Sequence, residues 1–548
     1  MKGKLLLIGC LMSIDSMGFF ADATPTRYAD TLTTELDHIL NEKYPANGIG
    51  AVALVTKKGE VIYQKAFGMA NLELNVPMKP DMVFRIASLT KQFTACAILQ
   101  LAGQDKLSIK DDIRKFIPGY PIKDDSVITI ENLLTHTSGI HDYTNEDLTK
   151  DKKPEELVTI IESLPPDFPP GTQYRYSNSG YILLGYIIEK VSGQTYGQYL
   201  QDHIFKPAGM TSAWLNADSK VIPNRAAGYR RDNQNNVFIN APYINMVNPY
   251  AAGGLLMNVD DYLKWIVALN GGKLIKKETL ETAYKGFKLP NGEITSYGFG
   301  WEVRELAGST IAMHQGDIPG FLANVIYFPK EAVLAVIFTN CECRQGDPGI
   351  VIQKVAAAAI GKPFNFKKIM LDSAQMQSYI GIYSKQGSPD MNIAMENNQL
   401  FFYDPGGPIR FLYPYAQGRF FDDDGLNTVE FTATDGHLRQ FKFVDLRRPA
   451  GNWVKTDKPV AVRKEIILTE TELNKFIGKY QMGSWIVTIS REDNHLRTPG
   501  FGIFPASPNR FYARVQDIWI DFVADGDGKI IKMISIQGGS KVGANKIK

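Results

Sequence analysis

The stretch FRIASLTKQF, residues 84–93, places a serine, Ser88, three positions before a lysine, Lys91. The residues from Thr90 onward have helical periodicity, so we expect an amphipathic helix to open here. On the first turn of a helix, the two side chains would lie on one face within reach of each other. The helix N-terminus would lower the pKa of the lysine and stabilise negative charge on the serine oxygen. The same spacing also fits a polar first turn with a solvated lysine. Other segments of the sequence must therefore distinguish a catalytic pair from a surface pair.

The bulk composition is that of a globular protein with almost balanced charge. The 548 residues include 60 Lys or Arg and 58 Asp or Glu, a formal net charge of +2. This balance offers no electrostatic footprint for nucleic acid and no polybasic membrane patch. The chain is too long for a single core, and its length predicts about three domains.

The N-terminus resembles an export signal. A basic MKGK precedes the apolar run LLLIGCLMSI, and Ala21-Asp22-Ala23 offers a small-x-small cleavage site. The apolar run is too short to span a bilayer. We interpret residues 1–23 as a signal peptide and expect an exported protein, periplasmic or secreted, without a transmembrane segment. In an alternative interpretation, LIGC is a lipid-attachment box and Cys10 carries a lipid anchor.

Residues 24–365 alternate strand-like and helix-like stretches. GAVALVTKKGEVIYQKAFGMAN near the start predicts two strands around a Lys-Gly turn, and ANVIYFPKEAVLAVIFTN near the end predicts two more that turn at Pro329. GYILLGYIIEKVSG between them predicts a buried helix that ends at Gly193. Strands at both ends with helices between them predict an α+β domain whose first and last strands share one sheet.

Beyond residue 370 the sequence changes to short strands with Gly, Asp and Asn turns, and it repeats. YIGIY at 379–383 matches FIGKY at 476–480, and ENNQL at 396–400 matches EDNHL at 492–496 at nearly the same offset. Two copies of one all-β unit are therefore expected, at residues 370–457 and 466–548. Regular short strands favour a small closed barrel for each copy. Neither copy has an obvious chemical residue, so packing or shielding is their simplest role.

Two further segments could complete a site around Ser88. In YSN, Tyr176 and Asn178 would point the same way on an extended backbone. A tyrosine near a lysine ammonium can lose its proton and act as a base, and an asparagine can hold an amide or ester carbonyl. In MHQGDIPGF, Gly316 would let a strand edge approach a ligand closely, beside His314. The seven histidines are scattered without metal-ligand spacing, so neither a metal nor a cofactor is expected.

Ser-x-x-Lys, Tyr-Ser-Asn and His-x-Gly, in this order, resemble the serine hydrolase family of class C β-lactamases, DD-peptidases, D-aminopeptidases and related esterases. The similarity extends through LLTHTSGI, PPGTQYRYSNSGYILLGYIIEKVSG, IFKPAGM and AAGGLLMNVDDYLKW, and covers nearly all of residues 24–365. It also selects Tyr176 among the three Tyr-x-Asn triplets, because only this one follows the PPGT lead-in. The fold that the resemblance implies is the α+β fold of that family, with an antiparallel sheet and a helical subdomain.

The resemblance also implies roles. Ser88 would attack the acyl carbon, and Lys91 together with Tyr176, as phenolate or proton shuttle, would take its proton and later activate water. Asn178 would position the substrate. The backbone N–H groups of Ser88 and Asp317 would form the oxyanion hole. His136 in LTHTSG is interpreted as structural.

One position departs from the pattern of family members that bind penicillins. Those usually carry Lys-Thr-Gly where this chain has His314-Gln315-Gly316. A histidine is mostly neutral at pH 7, so it offers a hydrogen bond but little charge for a substrate carboxylate. The His-x-Gly form resembles the D-aminopeptidases and esterases of the family, and Asp317 beside the cleft would favour a substrate amine. D-aminopeptidase-like members also carry two appended β-barrels, so the last barrel could act as a lid.

We therefore expect an exported acyl-serine hydrolase of small esters or peptides, with a small molecule or peptide as its partner. One alternative is a DD-carboxypeptidase or weak β-lactamase. A second alternative is a binding protein on a retired hydrolase scaffold, which loss of Ser88, Lys91 or Tyr176 would indicate; all three are present. The native acyl group, the leaving group and the oligomeric state do not follow from the sequence.

Overall fold

A computed structural model describes residues 25–122, 126–145, 147–215, 220–232, 237–343, 348–434, 437–445 and 448–547. The expected signal peptide and Cys10 lie outside these residues. In the part of the chain that is described, no helix has the length and apolar character needed to cross a bilayer.

The first part of the chain mixes helices and strands. Its strands are β1 (Ala51–Lys57), β2 (Glu60–Phe67), β3 (Met69–Asn71), β4 (Val76–Pro77), β5 (Phe84–Arg85), β6 (Trp214–Leu215), β7 (Tyr229–Asp232), β8 (Val237–Asn240), β9 (Leu255–Met257), β10 (Glu302–Leu306), β11 (Ser309–Ile318), β12 (Phe321–Phe328) and β13 (Val333–Thr339). Its helices are α1 (Pro25–Lys43), α2 (Thr90–Gly103), α3 (Ile130–Leu134), α4 (Pro154–Ser163), α5 (Asn178–Ser192), α6 (Tyr196–Leu200), α7 (Lys206–Ala208), α8 (Tyr250–Gly253), α9 (Val259–Asn270), α10 (Lys277–Ala283) and α11 (Pro348–Ala359).

The central element is a six-stranded sheet in the order β10-β11-β12-β13-β1-β2. Each neighbouring pair is antiparallel, and β1 pairs with β13 from Ala51 opposite Thr339 to Lys57 opposite Val333. The first and last long strands of this part therefore share one sheet, as the sequence predicts. The β1–β2 turn at Lys58-Gly59 is confirmed as well, with both residues in the left-handed region.

The sheet separates two apolar cores because side chains alternate across a strand. In β1, Val52 and Leu54 pack against the helical side with α2, α5, α8 and α9. Ala51, Ala53 and Val55 point to the other side, where they pack against α1 and α11. Both faces of the sheet are covered at its centre, which explains why β12, β13 and β1 are nearly continuous apolar runs rather than alternating ones.

The prediction of an amphipathic helix at Ser88 is wrong in two respects. Every residue of α2 from Thr90 to Leu99 is buried, so α2 is a central helix without a solvent face. Ser88 precedes α2 and lies in a separate 3₁₀ turn, Ala87–Leu89. The polar residues of α2 suggest a solvent-exposed face, but their polar atoms form hydrogen bonds inside the protein. Thr94 Oγ1, for example, donates to the Ala251 carbonyl at 2.6 Å.

Two closed eight-stranded antiparallel barrels follow. The first begins after α12 (Ser373–Ser378) and contains β14 (Gly381–Ser384), β15 (Met391–Glu396), β16 (Gln399–Tyr403), β17 (Arg410–Ala416), β18 (Arg419–Asp422), β19 (Thr428–Thr434), β20 (His437–Asp445) and β21 (Arg448–Lys455). The second begins after α13 (Glu470–Asn474) and contains β22 (Gly478–Met482), β23 (Trp485–Glu492), β24 (His495–Arg497), β25 (Gly502–Ser507), β26 (Arg510–Ala513), β27 (Ile518–Ala524), β28 (Ile530–Gln537) and β29 (Ser540–Ile547).

The sequence repeat corresponds to a structural repeat. Tyr383 in the first barrel donates its hydroxyl to the Tyr379 carbonyl at 2.9 Å, and Tyr480 in the second donates to the Phe476 carbonyl at 2.7 Å. Both tyrosines are fully buried. The matching pentapeptides YIGIY and FIGKY therefore close the same corner of each barrel, and the α+β-plus-two-barrels prediction is confirmed.

Candidate active site

Ser88 lies on a sharp turn between β5 and α2. Ala87, the residue before it, has φ of +48°, a left-handed conformation that costs a non-glycine residue about 1–3 kcal/mol. The turn is held from one side by the Ile86 N–H, which donates to the Leu255 carbonyl at 3.0 Å. Ser88 itself is half-buried. The chain thus accepts local strain to present a serine hydroxyl at the end of a buried helix.

Lys91 lies one turn further on, with its side chain fully buried. Its Nζ is 3.1 Å from Ser88 Oγ, 2.7 Å from Asn178 Oδ1 and 2.9 Å from the Ala252 carbonyl oxygen. The last two atoms only accept hydrogen bonds, so they take two N–H groups of the lysine. A neutral amine has two N–H groups and one lone pair, and the lone pair then faces Ser88 Oγ.

The electrostatics of Lys91 favour this neutral form. Burial lowers the pKa of Lys91 to about 7, against a smaller opposing effect of the Asp142 carboxylate. A group with a pKa near the working pH can both accept and return a proton. Because Lys91 is buried, the alternative interpretation of Ser-x-x-Lys as a polar turn with a solvated lysine is excluded.

The orientation of Asn178 is fixed by Asp142, a residue that the sequence analysis did not single out. Asp142 Oδ2 accepts from the backbone N–H of Asn178 at 2.7 Å and from its Nδ2 at 3.0 Å. With Nδ2 held in this way, Oδ1 must face Lys91. Asp142 Oδ1 in turn accepts from the Thr144 backbone N–H at 2.9 Å. No local sequence pattern marks Asp142, because its partner is 36 residues away.

Tyr176 completes the cluster on the other side of Lys91. The centre of its ring is 4.8 Å from Lys91 Nζ, and its hydroxyl hydrogen-bonds Ser88. Burial raises the pKa of Tyr176 well above its ordinary value, and the Ser88 hydrogen bond opposes this effect only in part. In this structure Tyr176 is therefore a phenol at neutral pH, which favours the proton-shuttle role over the phenolate role.

His136 packs directly on Tyr176. The two ring centres are 4.2 Å apart, and His136 Nδ1 accepts from the Ser177 backbone N–H at 3.1 Å. Burial and the nearby Lys91 lower the pKa of His136 well below its ordinary value, so the imidazole is neutral. These contacts agree with a structural role for His136, which is to hold the Tyr176 ring in position.

His314 lies on β11 with both ring nitrogens engaged. Nδ1 is 2.8 Å from the Gln315 carbonyl, which can only accept, so Nδ1 carries the proton. Nε2 then accepts from the hydroxyl of Tyr297 at 2.7 Å. Burial lowers the pKa of His314 to about 4, so the ring is uncharged at neutral pH. Tyr297, in the stretch SYGFGW, was missed by the sequence analysis because it pairs with a residue 17 positions away.

Gly316 brings β11 against the Ser88 turn. A Cβ at this position would lie 2.1 Å from the Ile86 carbonyl oxygen, so only glycine fits. β10 pairs with β11 up to Met313, which leaves the outer edge from His314 to Ile318 without a paired strand among the described residues. Asp317, one residue beyond Gly316, has an exposed side chain. The segments predicted to carry the oxyanion-hole N–H groups of Ser88 and Asp317 thus lie next to each other.

The neutral form of Lys91 makes a prediction about pH. If Lys91 takes the Ser88 proton, only its neutral form is active, and that form increases as the pH rises through the pKa. We therefore expect kcat/KM for an ester substrate to rise about tenfold per pH unit below pH 7 and to level above it. Replacing Asp142 with Asn removes the carboxylate that raises the Lys91 pKa, so the rise should move to lower pH. A profile that is flat from pH 5 to 9, or that rises only near pH 10, would contradict this assignment.

The fold and the Ser-Lys-Tyr cluster define a serine hydrolase, and a comparison with known families agrees. The family model described as Beta-lactamase matches residues 41–359, more than half of the chain. The chain therefore belongs to the β-lactamase family of serine hydrolases, and the resemblance drawn from the sequence motifs is confirmed.

Individual relatives carry several names. Penicillin-binding protein 4* of Bacillus subtilis (strain 168) is 29% identical over 429 residues, which cover 73% of this chain and 93% of that protein. A D-aminopeptidase of Gluconobacter oxydans (strain 621H) is 27% identical over 338 residues, 59% of this chain and 61% of that protein. The octameric penicillin-binding protein homologue from Pyrococcus abyssi superposes with a TM-score of 0.54 at 24% identity, over 77% of this chain and 99% of that one. This last likeness shows the fold alone.

Proposed function

We propose that this serine hydrolase forms an acyl-enzyme on Ser88 and cleaves small esters or short peptides, including those with D-residues, rather than β-lactams. The observation that carries the proposal is the buried Lys91, whose Nζ lies 3.1 Å from Ser88 Oγ with its two other partners both acceptors. The D-aminopeptidase relative supports the substrate class.

The chemistry follows from these contacts. Neutral Lys91 takes the proton of the Ser88 hydroxyl as Oγ attacks the acyl carbon, and the backbone N–H groups of Ser88 and Asp317 stabilise the oxyanion. The leaving alcohol or amine receives the proton back through the Tyr176 hydroxyl, which hydrogen-bonds Ser88. Water then attacks the acyl-enzyme with the same groups in reverse order, and the acid is released.

The substrate preference rests on His314. The neutral His314 ring uses both nitrogens inside the protein, so it presents neither a charge nor a free donor to a substrate carboxylate. By the alternation of β11, the Asp317 side chain lies with Gln315 on the face turned away from Ser88, so only its backbone N–H is directed to the cleft and the expectation that it favours a substrate amine is not supported. Carboxylate-bearing substrates such as penicillins therefore lack a cationic partner at position 314.

We further propose that the enzyme is exported through residues 1–23 and that its domains are residues 24–365, 370–457 and 466–548. The Bacillus relative named as a penicillin-binding protein supports a specific second candidate, a DD-carboxypeptidase or weak β-lactamase. The two candidate functions differ in which substrate acylates Ser88. A single experiment distinguishes them.

The test is intact mass and turnover after incubation with a p-nitrophenyl ester, D-alanyl p-nitroanilide, L-alanyl p-nitroanilide and benzylpenicillin. We expect turnover of the ester and of the D-alanyl anilide, and acylation by penicillin at least about tenfold slower. A stable penicillin adduct without turnover of the other three would support the carboxypeptidase instead. Absence of reaction with all four would favour the non-catalytic binding protein.

A pair of variants tests the role of position 314. Replacing His314 with Lys adds a cation beside the cleft, and we expect faster acylation by benzylpenicillin. Replacing it with Met removes the same hydrogen bonds from Tyr297 and to Gln315 without adding charge, and serves as the matched control. Equal rates in the two variants would show that position 314 does not face the substrate carboxylate.

A further inference from the structure

A cavity lies on the face of the sheet that is turned away from Ser88. It has a volume of about 280 Å³, and its wall is shared between the sheet and the first barrel. Gln315 on β11 lines it, whereas its neighbours His314 and Gly316 point to the candidate active site, as the alternation of a strand requires. The cavity is therefore separate from the catalytic cluster, and Asp424, in the turn between β18 and β19, lines it on the side of the first barrel.

One buried donor in this cavity has no partner. Asn324 on β12 lines the cavity and is 2% exposed, yet its Nδ2 makes no hydrogen bond within the described chain. Buried polar groups are almost always paired, and an exception calls for an explanation such as a bound molecule. An amide nitrogen is a donor only, so the missing partner is an acceptor.

The charges around the cavity are of both signs and are already balanced. Arg304 pairs with Glu302 at 2.5 Å, and Asp424 lies 3.7 Å from Arg410. The first turn of α11, which includes Gly349 and Ile350, also borders the cavity and favours negative charge. A ligand with net charge would upset this balance, whereas a zwitterion would place each of its charges near an opposite one.

The volume of the cavity limits the size of the ligand. Pockets for small molecules usually measure about 300–1,000 Å³, so this cavity is at the lower end and suits a very small ligand. A peptide or a polymer would not fit inside it. A single amino acid has the required size, an acceptor carboxylate and a balancing ammonium.

We propose that this cavity binds one free amino acid. Its carboxylate accepts from Asn324 Nδ2 and faces the first turn of α11, and its ammonium faces Glu302 and Asp424. The first barrel thereby contributes Asp424 to a ligand site, a role that neither packing nor shielding describes. The proposal does not depend on the substrate of the enzyme, because none of the groups at Ser88 takes part in it.

The test is calorimetric titration of the full chain carrying Ser88→Ala, so that no ligand is consumed. The probes are glycine, L-alanine and D-alanine, with acetate and methylamine as half-ligands. We expect at least one amino acid to bind about tenfold or more tightly than either half-ligand. Equal binding of acetate would show an anion site only and would overturn the proposal, as would no binding by any of the three amino acids.

Variants locate the binding. Asn324→Leu should raise the Kd about tenfold or more, because it removes the donor. Since Asn324 is in the middle of a buried strand, Gln353→Leu on the partly exposed part of α11 provides a second test within the same cavity. Gln377→Leu on the exposed surface of α12 is the matched control and should change nothing. An unchanged Kd in both cavity variants would show that the ligand binds outside this cavity and would overturn the proposal.

Discussion

Replacing Ser88 with Ala is expected to lower kcat by about 10⁴- to 10⁶-fold for every substrate of the enzyme and to abolish the covalent adduct. Among the described residues, Ser88 Oγ is the one nucleophile that Lys91 and the Tyr176 hydroxyl both contact, so we expect no other hydroxyl to replace it. Substrate binding should change little, because the backbone N–H of residue 88 remains. Turnover at saturating substrate and intact mass after a short incubation measure the two effects.

Ser177→Ala is the matched control for this experiment. Ser177 is buried beside Tyr176, and its Oγ has no hydrogen-bond partner among the described residues. Its replacement removes the same atom without touching Lys91, and activity should be retained. An adduct that still forms on the Ser88→Ala protein would assign the nucleophile to another residue.

Replacing Lys91 with Met is expected to lower kcat/KM by about 10²- to 10⁴-fold, the usual contribution of a general base. Lys91→Arg should be equally inactive, although it keeps the positive charge, because a guanidinium does not release its proton near neutral pH. The double variant with Ser88→Ala should be no worse than Ser88→Ala alone, since the two residues act on one proton. Steady-state kinetics of the three variants measure these effects.

The Lys91→Arg variant shows whether Lys91 acts as a general base or as a fixed positive charge. If Lys91→Arg kept substantial activity, the residue would act as a fixed charge and not as a base, and the pH profile would need another origin. Lys190→Met offers a matched control, because Lys190 lies over the Tyr186 ring at the far end of α5. It should leave the kinetics unchanged.

The parts of the site that the sequence predicts are those held within short segments or linked by a familiar order. Ser88 and Lys91 are three residues apart, and Tyr176 and Asn178 are two apart, so local geometry brings each pair together. Joining the two pairs required the family resemblance, since no spacing relates residue 91 to residue 178. The structure joins them through one hydrogen bond of 2.7 Å.

The residues that the sequence does not reveal act through tertiary contacts alone. Asp142 fixes the amide of Asn178, and Tyr297 occupies the Nε2 atom of His314, but an aspartate and a tyrosine in loops carry no signal of such partners. The burial of α2 was missed for a related reason. Its polar residues look like a solvent face until the atoms that satisfy them are known.

The two barrels, unlike these residues, could be predicted from the sequence. The internal repeat predicts their fold without any knowledge of their function. Two copies of one pentapeptide fix the same tyrosine hydrogen bond in both barrels, at Tyr383 and Tyr480. Repetition says nothing about where a barrel packs, however. The first barrel contributes Asp424, Leu426 and Asn427 to the wall of the cavity at Asn324, and the repeat gives no sign of this contact.

The pairing of β1 with β13 has a consequence for how the protein is made. Ala51 lies opposite Thr339, so the sheet cannot close until nearly 300 further residues have left the ribosome. At a synthesis rate of about 5–20 residues per second, the β1–β2 hairpin waits roughly 15–60 seconds for its missing neighbour. During that time both faces of the apolar strand β1 and the open edge of the hairpin are exposed. The nascent chain thus presents an aggregation-prone hairpin for much of the time that its synthesis takes.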